Sequence, residues 1–341
     1  MYTMKSFFLF IVIIAVAGTA VGQDFSKAGT AAGQFLKIPV GAKAVSMAGT
    51  FTSISDDIST LYWNPAGAIT LDRFEIGATH NSWIADISHN FLGVVLPMDE
   101  SGTIGFSVNQ LGSGDIEMTT IESPKGTGTY YSTADIALSL SYARAIMEQV
   151  SVGVSAKYIN QRIANTSAQT VAVDLGILLK TGFYGMKLGL AFQNFGPALK
   201  MSGSDLIKTV DLDLNSETNP VVEANMATQS YSLPASYRVS MSLPLIAQNG
   251  ILTSDMSSLL IAVDGVHLID NPEHFSIGTE YGFAKTLFLR GGYVFNTDEE
   301  GLTFGAGVDL SAGSTSFTFD YAYASFGIFS AVHVVSIGIQ L

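Results

Sequence analysis

The chain has 341 residues, of which 48% are hydrophobic and 13% are charged, and its formal net charge is −13. Soluble domains carry about 25% charged residues, so this composition favours an apolar environment around the protein. With 29 acidic against 16 basic residues, the chain lacks the clustered positive charge that nucleic-acid binding needs. The absence of Cys excludes disulfides, thiolate catalysis and Cys-ligated zinc.

The first residues predict export. Lys5 precedes the apolar run Phe7–Val16, and small residues ending in Ala20-Val21-Gly22 follow it. This layout is typical of a secretory signal peptide, which we place at residues 1–22. The alternative is a retained membrane anchor, but the run is shorter than the roughly 20 apolar residues that a spanning helix needs.

From Phe74 onward, apolar residues recur at every second position, with Gly, Asn, Asp and Pro between the runs. This period predicts strands with one apolar face. Two of the runs, Phe91–Leu96 and Leu259–Val266, alternate less cleanly than the others. The predicted strands are Phe74–Thr79, Phe91–Leu96, Ile104–Asn109, Ile136–Ala143, Val150–Tyr158, Val173–Leu179, Leu188–Phe192, Tyr237–Leu243, Leu259–Val266, Phe275–Tyr281, Leu287–Tyr293, Leu302–Val308, Phe317–Tyr323 and Val335–Leu341.

The face opposite the apolar one is built from small and polar residues and carries few charges. A soluble β-sandwich or soluble barrel, the alternative, would place many more charges on its outer face. Beyond residue 22, no uncharged apolar stretch approaches the length of a spanning helix. The sequence therefore predicts an all-β fold, a membrane-spanning antiparallel β-barrel of about 14 strands over residues 73–341, in the outer membrane of a Gram-negative cell.

Four connections are predicted to face the cell exterior when strands are counted from a periplasmic N-terminus, because they are longer than those on the other side. Apolar Phe326, Ile328 and Phe329 fall in one of them, and we interpret them as a contact surface for a protein partner. The four connections are Leu111–Thr129, Ile159–Thr170, Phe195–Pro234 and Tyr323–Val332.

Residues 23–72 show no sustained alternation and are rich in Gly, Ala and Ser between Gln34 and Ile69. Such small residues let a backbone pack closely against a wall. The stretch Asp56–Leu61 predicts a short helix, capped by Ser55 or Asp56 and ended by Pro65. We therefore predict an N-terminal hatch, a plug that lies inside the barrel lumen.

The hatch segment resembles that of FadL-like outer-membrane proteins. Gln34–Ile38 precede this motif, and together they make the segment most similar to the hatch of the PorV/PorQ family. We expect these hatch residues to have a structural role, in preference to direct ligand binding. The residues that carry the resemblance are Gly41, Gly49, Asp56, Asp57, Trp63, Asn64, Pro65, Ala66 and Gly67.

This resemblance implies a fourteen-stranded barrel with the hatch inside it. It also implies a partner role in the type IX secretion system of Bacteroidetes-type bacteria, in which extracellular loops contact a secretion translocon, secreted cargo or a surface complex. The alternative is a FadL-like channel for hydrophobic small molecules, which requires a continuous apolar pocket leading to an opening in the wall. A third interpretation is a structural surface scaffold with a sealed lumen.

Enzyme and metal motifs are weak throughout the chain. Asp211, Asp213, Asn215 and Glu217 have calcium-like spacing, but the Gly and Glu of an EF-hand loop are missing, so a solvated acidic loop is favoured over an irregular calcium site. The five His residues have no metal-ligand spacing, and the sequence has no Gly-x-Ser-x-Gly. We expect no enzymatic activity, no metal and no cofactor, with outer-membrane lipid as surroundings.

We expect the mature chain to begin at Gln23, because Ala20 and Gly22 fit the small-residue pattern of a cleavage site. Intact-mass measurement or N-terminal sequencing of the protein from the outer-membrane fraction tests this. Full-length chain in that fraction would show that residues 1–22 are an anchor.

Overall fold

The structure, a computed structural model, describes residues 27–211, 222–329 and 331–341. The predicted signal peptide and Asp213, Asn215 and Glu217 of the calcium-like set lie outside these residues. Within them, fourteen antiparallel strands form a closed barrel. The strands are β1 (Glu75–Ser82), β2 (Ser88–Pro97), β3 (Thr103–Glu117), β4 (Tyr130–Ala145), β5 (Val150–Ile163), β6 (Thr166–Lys180), β7 (Lys187–Phe195), β8 (Ser236–Ile246), β9 (Ser257–Leu268), β10 (His274–Phe283), β11 (Leu287–Phe295), β12 (Glu300–Ala312), β13 (Thr315–Phe326) and β14 (Ala331–Gln340).

Each barrel strand pairs with the next along the chain, and β1 pairs with β14 to close the sheet. The closing ladder runs from Glu75 opposite Gln340 to Ser82 opposite His333. A sheet closed in this way presents no long unpaired edge, which is the condition for strands that cross an apolar medium. The all-β fold and the barrel of about 14 strands predicted from the sequence are confirmed.

We call the end of the barrel where β1 begins and β14 finishes the terminal end, and the opposite end the loop end. The long connection between β7 and β8 lies at the loop end and adds short strands there. Ser202–Gly203 extends the sheet beside β6, Leu199–Lys200 pairs with Ser230–Tyr231, and Ile207–Val210 pairs with Val222–Asn225. Single 3₁₀ turns occur at Ile84–Asp86, Asp99–Ser101, Ser204–Leu206 and Gly327–Phe329.

The predicted connection Ile159–Thr170 was wrong, because nearly all of it is strand. β5 ends at Ile163 and β6 begins at Thr166, so the turn consists of Ala164 and Asn165. Here the strands continue beyond their apolar stretch, and polar residues occupy both faces. Alternation is then lost although the backbone stays extended. For the same reason, β3 and β4 extend into the predicted loop between them.

The polarity of the wall is the reverse of that in a soluble protein. On β4, the side chain of Leu140 is 60% exposed on the outer face, whereas its neighbour Ser141 is 1% exposed on the inner face. On β14, Ile337 is 48% exposed and Val334 is fully buried. An apolar exterior around a small and polar interior is the pattern of membrane barrels.

Residues 27–72, the described part of the predicted hatch, lie inside the barrel. The segment contains α1 (Ala42–Ser46) and α2 (Thr60–Trp63), with 3₁₀ turns at Gln34–Lys37 and Pro65–Thr70. It starts at the loop end, where Ala31 bridges to Ser232, and reaches β1 at the terminal end. Within the described residues, no helix is long and apolar enough to cross a membrane.

The short helix predicted at Asp56–Leu61 begins later than expected. Its first residue is Thr60, and the N-cap position is Ser59. Asp57 accepts hydrogen bonds from the Ser59 backbone and hydroxyl, which holds residues 57–59 in a turn before the helix. The helix ends before Pro65 as predicted, and Pro65 then starts the following 3₁₀ turn.

The contact of the outer face with lipid can be tested by introducing Arg at two positions along β4. Leu140→Arg places a cation on the outer face in mid-strand, and in a bilayer we expect it to cost roughly 2–4 kcal/mol of stability. Tyr130→Arg, on the same face at the loop end of the strand, should cost about 0–1 kcal/mol. Unfolding of both variants from lipid vesicles measures the difference. Equal losses would show that the mid-strand face does not contact hydrocarbon.

Candidate functional site

The hatch packs against glycines on the inner face of the wall. A Cβ atom at Gly153 would lie 2.3 Å from the Ala66 backbone nitrogen, and one at Gly189 would lie 2.4 Å from the Thr52 carbonyl oxygen. Real Cβ atoms do not approach this closely, so these positions have no room for a side chain. The hatch backbone therefore touches the wall directly, and the contact is dry.

Asn64 joins two parts of the hatch to the wall and is fully buried. Its side-chain amide donates to the carbonyl oxygens of Thr52 at 2.8 Å and Ile177 at 3.1 Å. Its carbonyl oxygen accepts from the Ala66 backbone nitrogen at 3.1 Å. Since Ile177 belongs to β6, one side chain holds the turn at Pro65 and anchors it to the barrel.

The other motif residues occupy tight positions in the same fold. Gly41 and Gly49 have φ values of 88° and 75°, a region that L side chains rarely adopt. A Cβ at Gly67 would lie 2.1 Å from the Thr60 hydroxyl oxygen. Trp63 is buried and donates from Nε1 to the Val40 carbonyl oxygen at 2.8 Å. These positions agree with the structural role predicted for the motif, which stays a prediction.

Charged side chains link the hatch to the wall towards the terminal end. Lys43 Nζ of α1 lies 2.8 Å from Asp56 Oδ2 and 3.5 Å from Glu280 Oε2 on β10. Arg290 of β11 places Nε 2.6 Å from the same Glu280 oxygen and also pairs with Asp320 of β13. We call these five residues the ionic latch. The sequence indicated that this face carries few charges, but it did not predict their connection to the hatch.

The charges of the latch determine the ionisation of its hatch members. Burial alone would lower the pKa of Lys43, but the carboxylates of Asp56 and Glu280 raise that pKa above its usual value. Burial alone would raise the pKa of Asp56, but the charges of Lys43 and Lys187 hold it below its usual range. Both side chains of this pair are therefore charged at neutral pH.

Asp57, next to the latch, has the opposite behaviour. Burial and the negative charge of Asp56 together raise the pKa of Asp57 to about 6. Its carboxylate still accepts from the Ser59 backbone nitrogen at 2.7 Å and from the hydroxyl at 2.6 Å. The Asp pair that the sequence singled out thus consists of one ion-paired and one destabilised carboxylate.

A cavity of about 1080 Å³ lies above the hatch and opens towards the loop end. Trp63, Trp83 and Phe326 supply aromatic surface to it, and the guanidinium of Arg238 lies 4.8 Å from the centre of the Trp63 ring. Asp270 supplies charge at its rim, where it pairs with Lys37 at 3.1 Å. The cavity therefore offers aromatic and polar surface side by side. Sequence reasoning missed it, because its lining converges from distant strands.

The strands of the barrel wall stay paired. Beside the cavity, β12 pairs with β13, with a register shift between Glu300 and Thr303. Away from it, β2 and β3 form an uninterrupted ladder from Ser88 opposite Gly112 to Pro97 opposite Thr103, and a groove of about 450 Å³ lies on the outer face of β1–β3. Within the described residues, every pair of adjacent strands is hydrogen-bonded. A passage from the cavity through the barrel, which a FadL-like channel requires, stays a prediction.

The residues predicted to contact a partner lie at the rim of the loop end. Phe326 was expected in a loop but is the last residue of β13, where its ring packs edge-on against Trp83 at 4.9 Å between centres. Ile328 and Phe329 are 83% and 51% exposed in the following turn. Partner contact through these residues stays a prediction.

Among the described residues, no group of three or more His, Asp or Glu side chains is placed to hold a metal ion. Of the calcium-like set, the structure describes Asp211 alone. The expectation that the chain is not an enzyme stays a prediction, although two of the similar structures reported next are described as a channel and a transporter.

The barrel resembles outer-membrane barrels of the FadL type. The CymD monoaromatic hydrocarbon channel matches with a TM-score of 0.55 and 13% identity, over 89% of this chain and 97% of that chain. The Ralstonia pickettii toluene transporter TbuX has a TM-score of 0.53 and 13% identity, over 88% and 97% of the two chains. A Pseudomonas aeruginosa FadL homologue has a TM-score of 0.53 and 12% identity, over 89% and 98%. At such identities the likeness shows the fold.

The fold of the chain thus resembles that of FadL-type outer-membrane barrels. The chain belongs to the family described as Uncharacterised protein family (UPF0164), whose model matches residues 11–341. No curated protein matches it. The predicted FadL-like resemblance is confirmed at the level of fold, whereas membership of the PorV/PorQ family and a role in type IX secretion find no support in these comparisons.

Asp57→Asn should make the hatch less sensitive to pH. The pKa of Asp57 is about 6 in the folded protein and 3.8 in the unfolded chain, so the ionised side chain destabilises the fold. This destabilisation is complete above about pH 6 and disappears as the pH falls towards 3.8. Asn keeps an acceptor for Ser59 and removes the charge. We therefore expect slower amide hydrogen exchange in α2 than in the wild type at about pH 8, and equal rates at about pH 4. Equal rates at both pH values would contradict the assigned ionisation.

Proposed function

We propose that this protein is an outer-membrane channel that admits hydrophobic small molecules through the cavity at its loop end. The observation that carries the proposal is this cavity of about 1080 Å³, which has aromatic side chains in its wall and the hatch as its floor. Binding pockets for small molecules are concave and mostly apolar, with a few polar groups that orient the ligand.

The similar structures support the same class of solute. TbuX is described as a toluene transporter and CymD as a monoaromatic hydrocarbon channel. An aromatic ring entering the cavity would meet Trp83 and Phe326 at the rim and Trp63 at the floor, with edge-on or offset stacking available at each. Arg238 already covers one face of Trp63, so a solute would contact the other parts of this floor.

In this proposal the hatch is the gate, and it must move for a solute to pass. The ionic latch fastens the hatch to β10, and the buried hydrogen bond between Ser53 and Ser240 fastens it to β8. Lys43, Glu280, Arg290 and Asp320 are only 3–12% exposed, and separating a buried ion pair is costly. The latch therefore holds the hatch closed until its ion pairs are exchanged.

The secretion role implied by the resemblance is the competing proposal. It is supported by the exposure of two adjacent apolar side chains, Ile328 and Phe329, because neighbouring exposed apolar residues often mark a contact surface. It requires no passage through the lumen, so it predicts that a fixed hatch leaves the function unchanged.

Two Ser→Cys pairs test the gate in a chain that has no other Cys. The hydroxyl oxygens of Ser53 in the hatch and Ser240 in the wall are 2.7 Å apart, so S53C/S240C should form a disulfide that locks the hatch. The control is S141C/S155C, where the two hydroxyl oxygens are 2.6 Å apart but both residues lie in the wall, on β4 and β5.

In liposomes, we expect oxidised S53C/S240C to take up toluene no faster than protein-free liposomes, and reduction to restore uptake. Oxidised S141C/S155C should match the wild type in both states. Uptake by the locked protein at the wild-type rate would show that hatch movement is not required. A wild-type protein that adds nothing to uptake would show that the channel function is wrong.

A further inference from the structure

Three polar side chains interrupt the apolar outer face of the barrel on β1, β2 and β3. His80 is directly opposite Asn90 in the β1–β2 ladder, and Asn90 is directly opposite Gln110 in the β2–β3 ladder. All three point outward, because the residues that alternate with them along the strands, Thr79 and Phe91 among them, are buried on the inner face. We call His80, Asn90 and Gln110 the polar stripe.

The polar stripe lies at a depth where the neighbouring strands are apolar. In the hydrogen-bonded row that contains the stripe, the next positions are Val335 on β14 and Ile136 on β4. Strands of membrane barrels are tilted by about 35–45°, so successive positions in a row differ in depth. One of these two apolar residues is therefore closer to the loop end than the stripe, and apolar surface reaches above the stripe on that side.

The groove of about 450 Å³ on the outer face runs from the polar stripe towards the terminal end. Ala78 forms its floor, because this short side chain lies between Ile337 on β14 and Leu92 on β2, which are 48% and 45% exposed. Val108, opposite Leu92, adds to the apolar lining. The groove is therefore apolar along its length and polar at one end, which is also the distribution of polarity in a membrane lipid.

The polar stripe has hydrogen-bond donors that no protein group uses. Asn90 Oδ1 lies 2.7 Å from His80 Nδ1 and accepts its hydrogen, so the amide nitrogen of Asn90 stays available. Among the described residues, neither this amide nitrogen nor the side chain of Gln110 forms a hydrogen bond. Both residues line the groove and are accessible from outside the barrel. An amide beside hydrocarbon is costly without a partner, so a polar group from the surroundings is expected at this place.

The chemistry of the polar stripe fits the ester region of a lipid. A side-chain amide group donates two hydrogens, and an ester carbonyl oxygen accepts one or two. The acceptors of the stripe, Gln110 Oε1 and the second ring nitrogen of His80, belong to exposed residues and can pair with water at the headgroup. Within the part of the chain that the structure describes, no Lys or Arg lines the groove, so a phosphate would find no charged partner there.

We propose that this groove binds one ester-linked membrane lipid, with an acyl chain along Ala78 and an ester carbonyl group at Asn90 and Gln110. The groove opens on the face that surrounds the barrel, so a lipid enters it from the bilayer without passing through the lumen. The site is therefore independent of the proposed channel function and lies on the other side of the wall from the hatch. A second copy of the chain, covering the groove with its own outer face, is the alternative that the test separates.

Two lipids with the same headgroup and chain length test the proposal: dipalmitoyl phosphatidylcholine and its ether analogue, dihexadecyl phosphatidylcholine. The ether lipid has methylene groups in place of the two ester carbonyls, so it cannot accept the hydrogen bonds of the stripe. Native mass spectrometry of the full chain in detergent, supplied with both lipids in equal amounts, measures the ratio of the two bound forms. A hydrogen bond of this kind supports a preference of about fivefold for the ester lipid.

N90L/Q110L replaces both amides of the stripe with apolar side chains and should leave the two lipids bound equally. The matched control is N160L/Q169L, which makes the same two exchanges at directly opposite residues of β5 and β6. These residues also point outward, because the neighbouring Ile159 and Ala168 are buried on the inner face. The control should keep the preference of the wild type, since it leaves the groove unchanged.

The wild-type ratio needs no variant, so the proposal can fail even where a variant does not fold. Equal binding of the two lipids to the wild type, or no bound lipid at all, would overturn the ester site. A loss of preference in N160L/Q169L as large as that in N90L/Q110L would overturn it as well. A wild-type dimer that N90L/Q110L separates into monomers would show that a second copy occupies the groove instead of a lipid.

Discussion

The pairing of β1 with β14 is the constraint on which the remaining structure depends. It joins Glu75 to Gln340 across the full length of the chain, so the backbone donors and acceptors of the first strand are satisfied by the last. Once the sheet is closed, each strand has one face towards the lumen and one towards the surroundings. Apolar residues such as Leu140 and Ile337 then occupy the outer face, and small residues occupy the inner one.

The small inner face determines how the lumen is filled. Gly153 and Gly189 leave space that a backbone can enter, and the hatch enters it with main-chain atoms at Ala66 and Thr52. A backbone buried against the wall needs hydrogen bonds, and Asn64 of the hatch donates one to a carbonyl oxygen of the wall. The small residues of the motif thus match the glycines of the wall.

The sequence predicted the barrel well, because alternation is a local property that each strand carries by itself. All fourteen predicted runs correspond to strands. It failed at Ala164–Asn165, where the strands outlast their apolar pattern, and at Phe326, which looked like a loop residue and is packed against Trp83. The cavity and the ionic latch were not predictable, because each depends on the register between strands that are far apart in the chain.

The hatch is not held with equal strength along its length. Around Asn64, the contacts with Gly153 and Gly176 exclude water, and moving the backbone there would break buried hydrogen bonds. Towards the terminal end, the side chain of Asp56 is 41% exposed and is tied to the wall through Lys43. Ion pairs with access to water are easier to exchange than buried ones. In the proposed channel, displacement of the hatch would therefore begin around Asp56, before α2, while the turn at Pro65 stays anchored.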